Sequence, residues 1–94
     1  MRELTELRTE LDTIDRELVA LYERRMAVAG EVAAYKMAHD LPVLDASREQ
    51  QVIASRQGYL REQRYAGDIA RLFELLMERS RAEQQRVMEE KTDA

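Results

Sequence analysis

The sequence predicts an all-α fold: three helices per chain, a long first helix, and an intertwined homodimer. Three observations carry that expectation. Only 3 glycines and 1 proline interrupt 94 residues, so breakers are too few for more than a pair of connections. Hydrophobic residues make up 45% and charged residues 36%, interleaved at helical spacing. Apolar residues near the start recur alternately three and four apart, which is the heptad seam of a helix that needs a partner.

The first helix is expected from about Glu3 to about His39, with no proline and only Gly30 inside it. Its seam reads Leu4, Leu7, Leu11, Ile14, Leu18, Leu21, then Val28, Val32 and Tyr35. At ~1.5 Å per residue such a helix is ~50 Å long. A compact chain of this length has a radius of gyration of ~12 Å, hence a diameter of ~30 Å. The helix must overhang its own domain, and a second copy is the simplest cover for its seam. His39-Asp40-Leu41-Pro42 ends it, because proline and the residue before it both disfavour helix. Asp45 or Ser47 then suits the N-cap of a second helix, running through Val52 and Ile53 to about Leu60. Gly58 and the polar stretch Arg61 to Gly67 blur its end. A third helix starts near Gly67-Asp68 and carries Ile69, Leu72, Phe73, Leu76, then Ser80, Gln84 and Val87. Residues 1–94 read as a single domain without repeats or linkers, with about 89–94 a tail that frays for lack of anything to bury.

Composition closes off several classes of function. A net charge of −4 argues against nucleic-acid binding, although a few cations gathered in one pocket can still hold a small anion. With one histidine and no cysteine, disulfides and thiolate metal sites are excluded and a metal cluster or a His-based triad is nearly so, and no metal is expected. No glycine-rich phosphate loop is present and no cofactor is expected. Charges recur too often for a membrane span, and Met1-Arg2-Glu3-Leu4 opens no apolar signal region. A cytoplasmic location is expected.

The informative residues are those that break the apolar pattern. Arg25 occupies a seam position between Leu21 and Val28, where a guanidinium needs something negative beside it. An ion pair within the dimer or a register-setting role satisfies that need as well as a ligand does. Lys36 follows eleven residues later, only ~20° away around the helix and ~16 Å along it. Two long cations on one face are able to converge on a small dianion, though Lys36 alone also suits the helix C-terminus. Arg8 lies ~25 Å before Arg25 and ~100° away, so one copy of the helix cannot bring both to one ligand. It is either a surface arginine or a group serving another protomer. Asp45, Arg48, Glu49 and Val52 share a face of the second helix, as a cap and surface charges or as hydroxyl acceptors and a further cation. Ser80 and Gln84 stand one turn apart in the apolar stripe of the third helix, and polar groups there hydrogen-bond something buried, either backbone or ligand.

Taken in order, Arg8, Arg25, Lys36, Asp45, Arg48-Glu49, Ser80 and Gln84 resemble the helical chorismate mutases, in particular the bacterial mutase domain that precedes prephenate dehydratase. The densest stretches are Leu7-Arg8, Glu23 to Arg25, Lys36, Pro42 to Asp45 with Arg48-Glu49, and Arg71-Leu72-Phe73 leading to Ser80 and Gln84. The likeness spans roughly Leu4 to Val87. Its departures are a slightly shorter connection between the second and third helices and ordinary variation at Tyr22, Gly30 and Tyr35.

The resemblance implies an interlaced homodimer with two sites, each taking an arginine from the partner chain. It also implies the rearrangement of chorismate to prephenate in aromatic amino acid biosynthesis, an intramolecular Claisen reaction. That reaction needs no nucleophile, acid–base pair or cofactor, only a held conformer and stabilisation of charge on the ether oxygen. By the same resemblance, partner Arg8 and Arg25 clamp the substrate carboxylates, with Ser80 adding a hydrogen bond. Lys36 and Gln84 donate to the ether oxygen, Glu49 and the Asp45 region hold the ring hydroxyl, and Arg48 supports the rim. Catalysis thus falls to Lys36, Gln84, Arg25 and Glu49. Two other readings stand beside this one. An isochorismate pyruvate-lyase uses the same scaffold, and a non-catalytic helical dimerisation module explains the seam equally well and pairs Arg25 with a carboxylate. The chain is also compatible with a portion of, or a partner to, a larger aromatic-pathway enzyme.

Overall fold

Leu4–Ala38 forms one uninterrupted helix, α1, as its lack of breakers requires. The computed structural model describes residues 1–93, and adds α2 at Ala46–Gly58, a 3-10 turn at Gln63–Tyr65 and α3 at Ala66–Asp93. The described residues contain no strand, so the three-helix expectation holds. The expected tail from about residue 89 is helical through Asp93, and Ala94 lies outside the described residues.

Each boundary has a local cause. At the end of α1, Asp40 takes φ 53°. The Leu41 amide donates to the Lys36 carbonyl at 2.8 Å and the Asp40 amide to Met37 at 3.4 Å. This is a Schellman stop with aspartate in the left-handed position that short polar side chains tolerate. Pro42 follows and prevents any continuation. At the start of α2 the choice between Asp45 and Ser47 resolves to Asp45, whose carboxylate accepts from the Arg48 amide at 3.0 Å. The end of α2 is closed by a side chain the sequence pattern did not flag: the Gln63 amide donates to the carbonyls of Gln57 at 3.2 Å and Leu60 at 3.1 Å, occupying acceptors that a helix end leaves free.

α3 packs against both α1 and α2. Ala29 and Ala33 of α1, Val52 of α2 and Met77 of α3 are the buried apolar residues. The face of α1 that meets α3 is therefore made of small residues, and it differs from the heptad seam. Gly30 lies on it: a Cβ there meets the Val87 Cγ2 at 3.6 Å, an ordinary contact, and its φ is negative. Gly30→Ala should consequently stabilise the fold by ~0.5–1 kcal/mol through helix propensity. Thermal unfolding should read this as a rise of ~2–8 °C in Tm, and a lower Tm would show that the two helices need a closer approach than 3.6 Å allows.

The seam itself is uncovered. Leu4, Leu7, Leu11, Ile14, Leu18 and Leu21 are each 39–57% exposed, and every residue from Met1 to Arg24 is exposed. The chain measures 56 × 28 × 14 Å with a radius of gyration of 16.9 Å, against ~12 Å for a compact chain of its length. Among the described residues, no helix is long and apolar enough to cross a membrane.

Candidate active site

The C-terminal half of α1, α2 and the middle of α3 line a pocket of about 330 Å3. The helical repeat decides which side chains reach it. On α1 these are Arg25, Val28, Ala29, Val32 and Lys36; on α2, Arg48, Glu49, Val52 and Arg56; on α3, Met77, Ser80, Arg81 and Gln84. All are spaced by multiples of three or four with one neighbour, a single face of each rod. Val43 and Asp45 of the connection complete the wall.

One end of the pocket is a chain of committed and uncommitted donors. The Lys36 Nζ donates to the Val43 carbonyl at 2.7 Å and to the Gln84 Oε1 at 3.0 Å. An ammonium has three protons and no acceptor, so one proton is left, and the Gln84 oxygen must be the atom that faces it. That fixes the amide the other way round. The Gln84 Nε2 donates to the Ser80 Oγ at 3.1 Å, and its second N–H remains available. Ser80, acting here as acceptor, keeps its own hydroxyl proton. Gln84 is only 6% exposed, yet no buried side-chain polar atom among the described residues lacks a partner. Three helix-borne groups thus hold one another in register while each keeps a donor for a guest.

The opposite end is cationic and unpaired. The Arg25 and Arg56 guanidiniums each lie 5.9 Å from the Phe73 ring centroid, a distance at which a cation is attracted to the ring face. Burial, and next to it the charge of Arg56, lowers the proton affinity of Arg25, although a guanidinium remains a cation throughout the ordinary pH range. Neither arginine pairs with a carboxylate among the described residues. Glu49 does have a cationic partner, Arg81, across α2 and α3. Five lining side chains are cations (Arg25, Lys36, Arg48, Arg56, Arg81) and two are carboxylates, Asp45 and Glu49. The pocket is positive in a chain whose net charge is −4, which suits a small anion with more than one charge.

Of the residues singled out in the sequence, Arg25, Lys36, Asp45, Arg48, Glu49, Ser80 and Gln84 all line this pocket. Asp45 also caps α2, which is the structural reading of it. Arg8 is not brought to it; it lies exposed on the overhanging half of α1. Arg56 and Arg81 were missed. Arg56 continues the Arg48–Val52 face by one more turn, and Arg81 stands in the Met77–Gln84 stripe at i+4, so the spacing contained both signals.

Residues 7–85 match the family model of chorismate mutase type II. A T-protein of Haemophilus influenzae is 37% identical over 79 residues, covering 84% of this chain and 20% of that protein. A T-protein of Enterobacter agglomerans is 36% identical over 55 residues, covering 58% of this chain and 15% of that protein. The chain therefore spans a fifth or less of the length of these curated relatives. Among solved structures, a conserved hypothetical protein from Pyrococcus furiosus superposes with a TM-score of 0.69 at 31% identity, covering 86% of this chain and 93% of that one. The family model spans most of the chain: this chain belongs to the chorismate mutase type II family.

Proposed function

We propose that the pocket rearranges chorismate to prephenate, with the substrate held between the two ends just described. The observation that carries this reading is the Lys36–Gln84–Ser80 chain. In the Claisen rearrangement a carbon–oxygen bond breaks as a carbon–carbon bond forms, and negative charge grows on the ether oxygen. No proton is transferred, so the protein has only to fix the folded conformer and meet that charge. The free Lys36 proton and the free Gln84 N–H are the donors for the ether oxygen. Arg25 takes a carboxylate, Ser80 adds its hydroxyl to one, Glu49 and the Asp45 region accept from the ring hydroxyl, and Arg48 closes the rim.

The reading includes a homodimer. A single copy buries four apolar side chains among the described residues and leaves the Leu4–Leu21 seam exposed, too little burial to offset the ordering of the chain. A second copy laid along the seam covers it and carries its own Arg8 to the first copy's pocket, completing the second carboxylate clamp. Cysteine-free composition suits a cytosolic setting. The direct test is ultraviolet monitoring of chorismate loss with purified protein and nothing added, with isochorismate run in parallel for pyruvate release. Absence of chorismate turnover refutes the proposal.

The amide of Gln84 gives a second check. Gln84→Glu places a carboxyl 3.0 Å from the Lys36 ammonium at a position only 6% exposed, where burial favours its neutral form and the cation its ionised form. An ionised carboxylate donates nothing and also engages Lys36, so both donors to the ether oxygen are lost. Measured against the wild type at the same pH, the variant's activity should therefore rise as pH falls and the carboxyl takes up its proton. A variant with no such acid-side gain sinks the assigned role of Gln84.

A further inference from the structure

The family reading leaves Arg56 without a task. Each helix carries a pair of residues eleven positions apart: Arg25 and Lys36 on α1, Asp45 and Arg56 near the two ends of α2, Phe73 and Gln84 on α3. All but Phe73, which lies behind the two arginines, line the pocket. Eleven residues are three turns, ~16 Å, with ~20° of drift, so the same face is presented at both ends. At the Lys36 end the contacts are hydrogen bonds. At the other, Arg25 and Arg56 converge on Phe73, both 5.9 Å from its centroid. The remaining contacts of Arg56 are neutral: it donates to the Ser55 Oγ at 3.2 Å and lies 5.6 Å from the Tyr59 ring centroid. Both arginines are half-buried and line the pocket. Like charges brought together on one ring without a counter-ion repel each other, and the arrangement becomes favourable when one anion accepts from both forks.

We propose that Arg56 is a further substrate-binding residue, forming with Arg25 a two-guanidinium clamp on one carboxylate of a dicarboxylate guest. The identity of that guest as chorismate rests on the preceding section; the clamp itself needs only a carboxylate. Burial of Arg25 and the field of Arg56, which together disfavour the Arg25 cation, are relieved by the same anion. The role is one of holding rather than of meeting charge as it develops. Its loss should therefore appear in KM more than in kcat.

The experiment uses the intact chain. Arg56→Ala should raise KM for chorismate about tenfold or more with kcat changed by less than about threefold, and Arg56→Lys should recover part of the loss by keeping charge without the fork. The double variant with Arg25→Ala should lose less than the two single losses multiplied, since both act on one carboxylate. Calorimetric titration with isophthalate, a rigid dicarboxylate that cannot rearrange, should show the same weakening in Arg56→Ala. Unchanged KM and unchanged isophthalate affinity overturn the clamp. So does an Arg56→Ala variant whose only defect is a looser dimer by sedimentation, which would make Arg56 the partner of a carboxylate on a second copy. Should the wild type leave chorismate untouched yet bind isophthalate in an Arg56-dependent way, the activity falls and the clamp stands.

Discussion

Lys36→Ala should lower kcat/KM for chorismate by about 10²–10³ or more, the usual loss when a donor aimed at developing charge is removed. The geometry argues for the upper part of that range. Lys36 supplies the uncommitted proton, and it also anchors the Gln84 Oε1 and the Val43 carbonyl. Without the ammonium only the Ser80 hydroxyl holds the amide. Because a hydroxyl donates as well as accepts, it does not fix which way round the amide lies, so the second donor is weakened along with the first. The cost to stability is smaller. A buried acceptor left alone costs ~1–3 kcal/mol, and water admitted by the truncated side chain relieves part of it. The variant should therefore keep its helical circular dichroism and unfold cooperatively at a modestly lower temperature. Near-normal turnover in a folded Lys36→Ala protein would leave the proposed mechanism without its principal donor.

How much of this was legible in the sequence depended on what each residue leaves behind as a pattern. Helix α1 was readable almost to the residue because 35 positions without a breaker and a regular apolar seam admit one solution. The exceptional residues Arg25, Lys36, Ser80 and Gln84 were readable because each stood where an apolar residue was due or on the face beside it. Their mutual arrangement was not. That the Gln84 amide lies between Lys36 and Ser80 is a contact 48 residues apart in sequence, set by how α3 seats on α1. The seating in turn uses Ala29, Gly30 and Ala33, and small residues give almost no hydrophobic signal. Reading the large residues alone found the seam that faces outward and passed over the face that packs inward. Arg81 and Arg56 were passed over for a related reason. In a chain with 15 lysines and arginines, a charged side chain is by default a solvated one, and only the fold separates those few that line a pocket from the rest.

Arg8→Ala should cost about as much as Lys36→Ala if the proposed dimer is right, because the loss leaves a desolvated substrate carboxylate unpaired, worth ~2–5 kcal/mol. The loss alone does not say which chain Arg8 serves; mixing does. On α1, Arg8 precedes Arg25 by seventeen residues, ~25 Å of rigid helix, and no residue of the overhanging half lines the pocket of its own chain. When inactive Arg8→Ala and inactive Lys36→Ala chains are unfolded together and refolded, a mixed dimer carries one site with both defects and one with neither, provided Arg8 acts across the interface. Random pairing makes half of the dimers mixed, so roughly a quarter of the wild-type activity should return. If Arg8 acts on its own chain, both sites of the mixed dimer stay defective and nothing returns. The result separates a site shared between two chains from a site complete in one, and the exposed seam of α1 is the physical reason to expect the first.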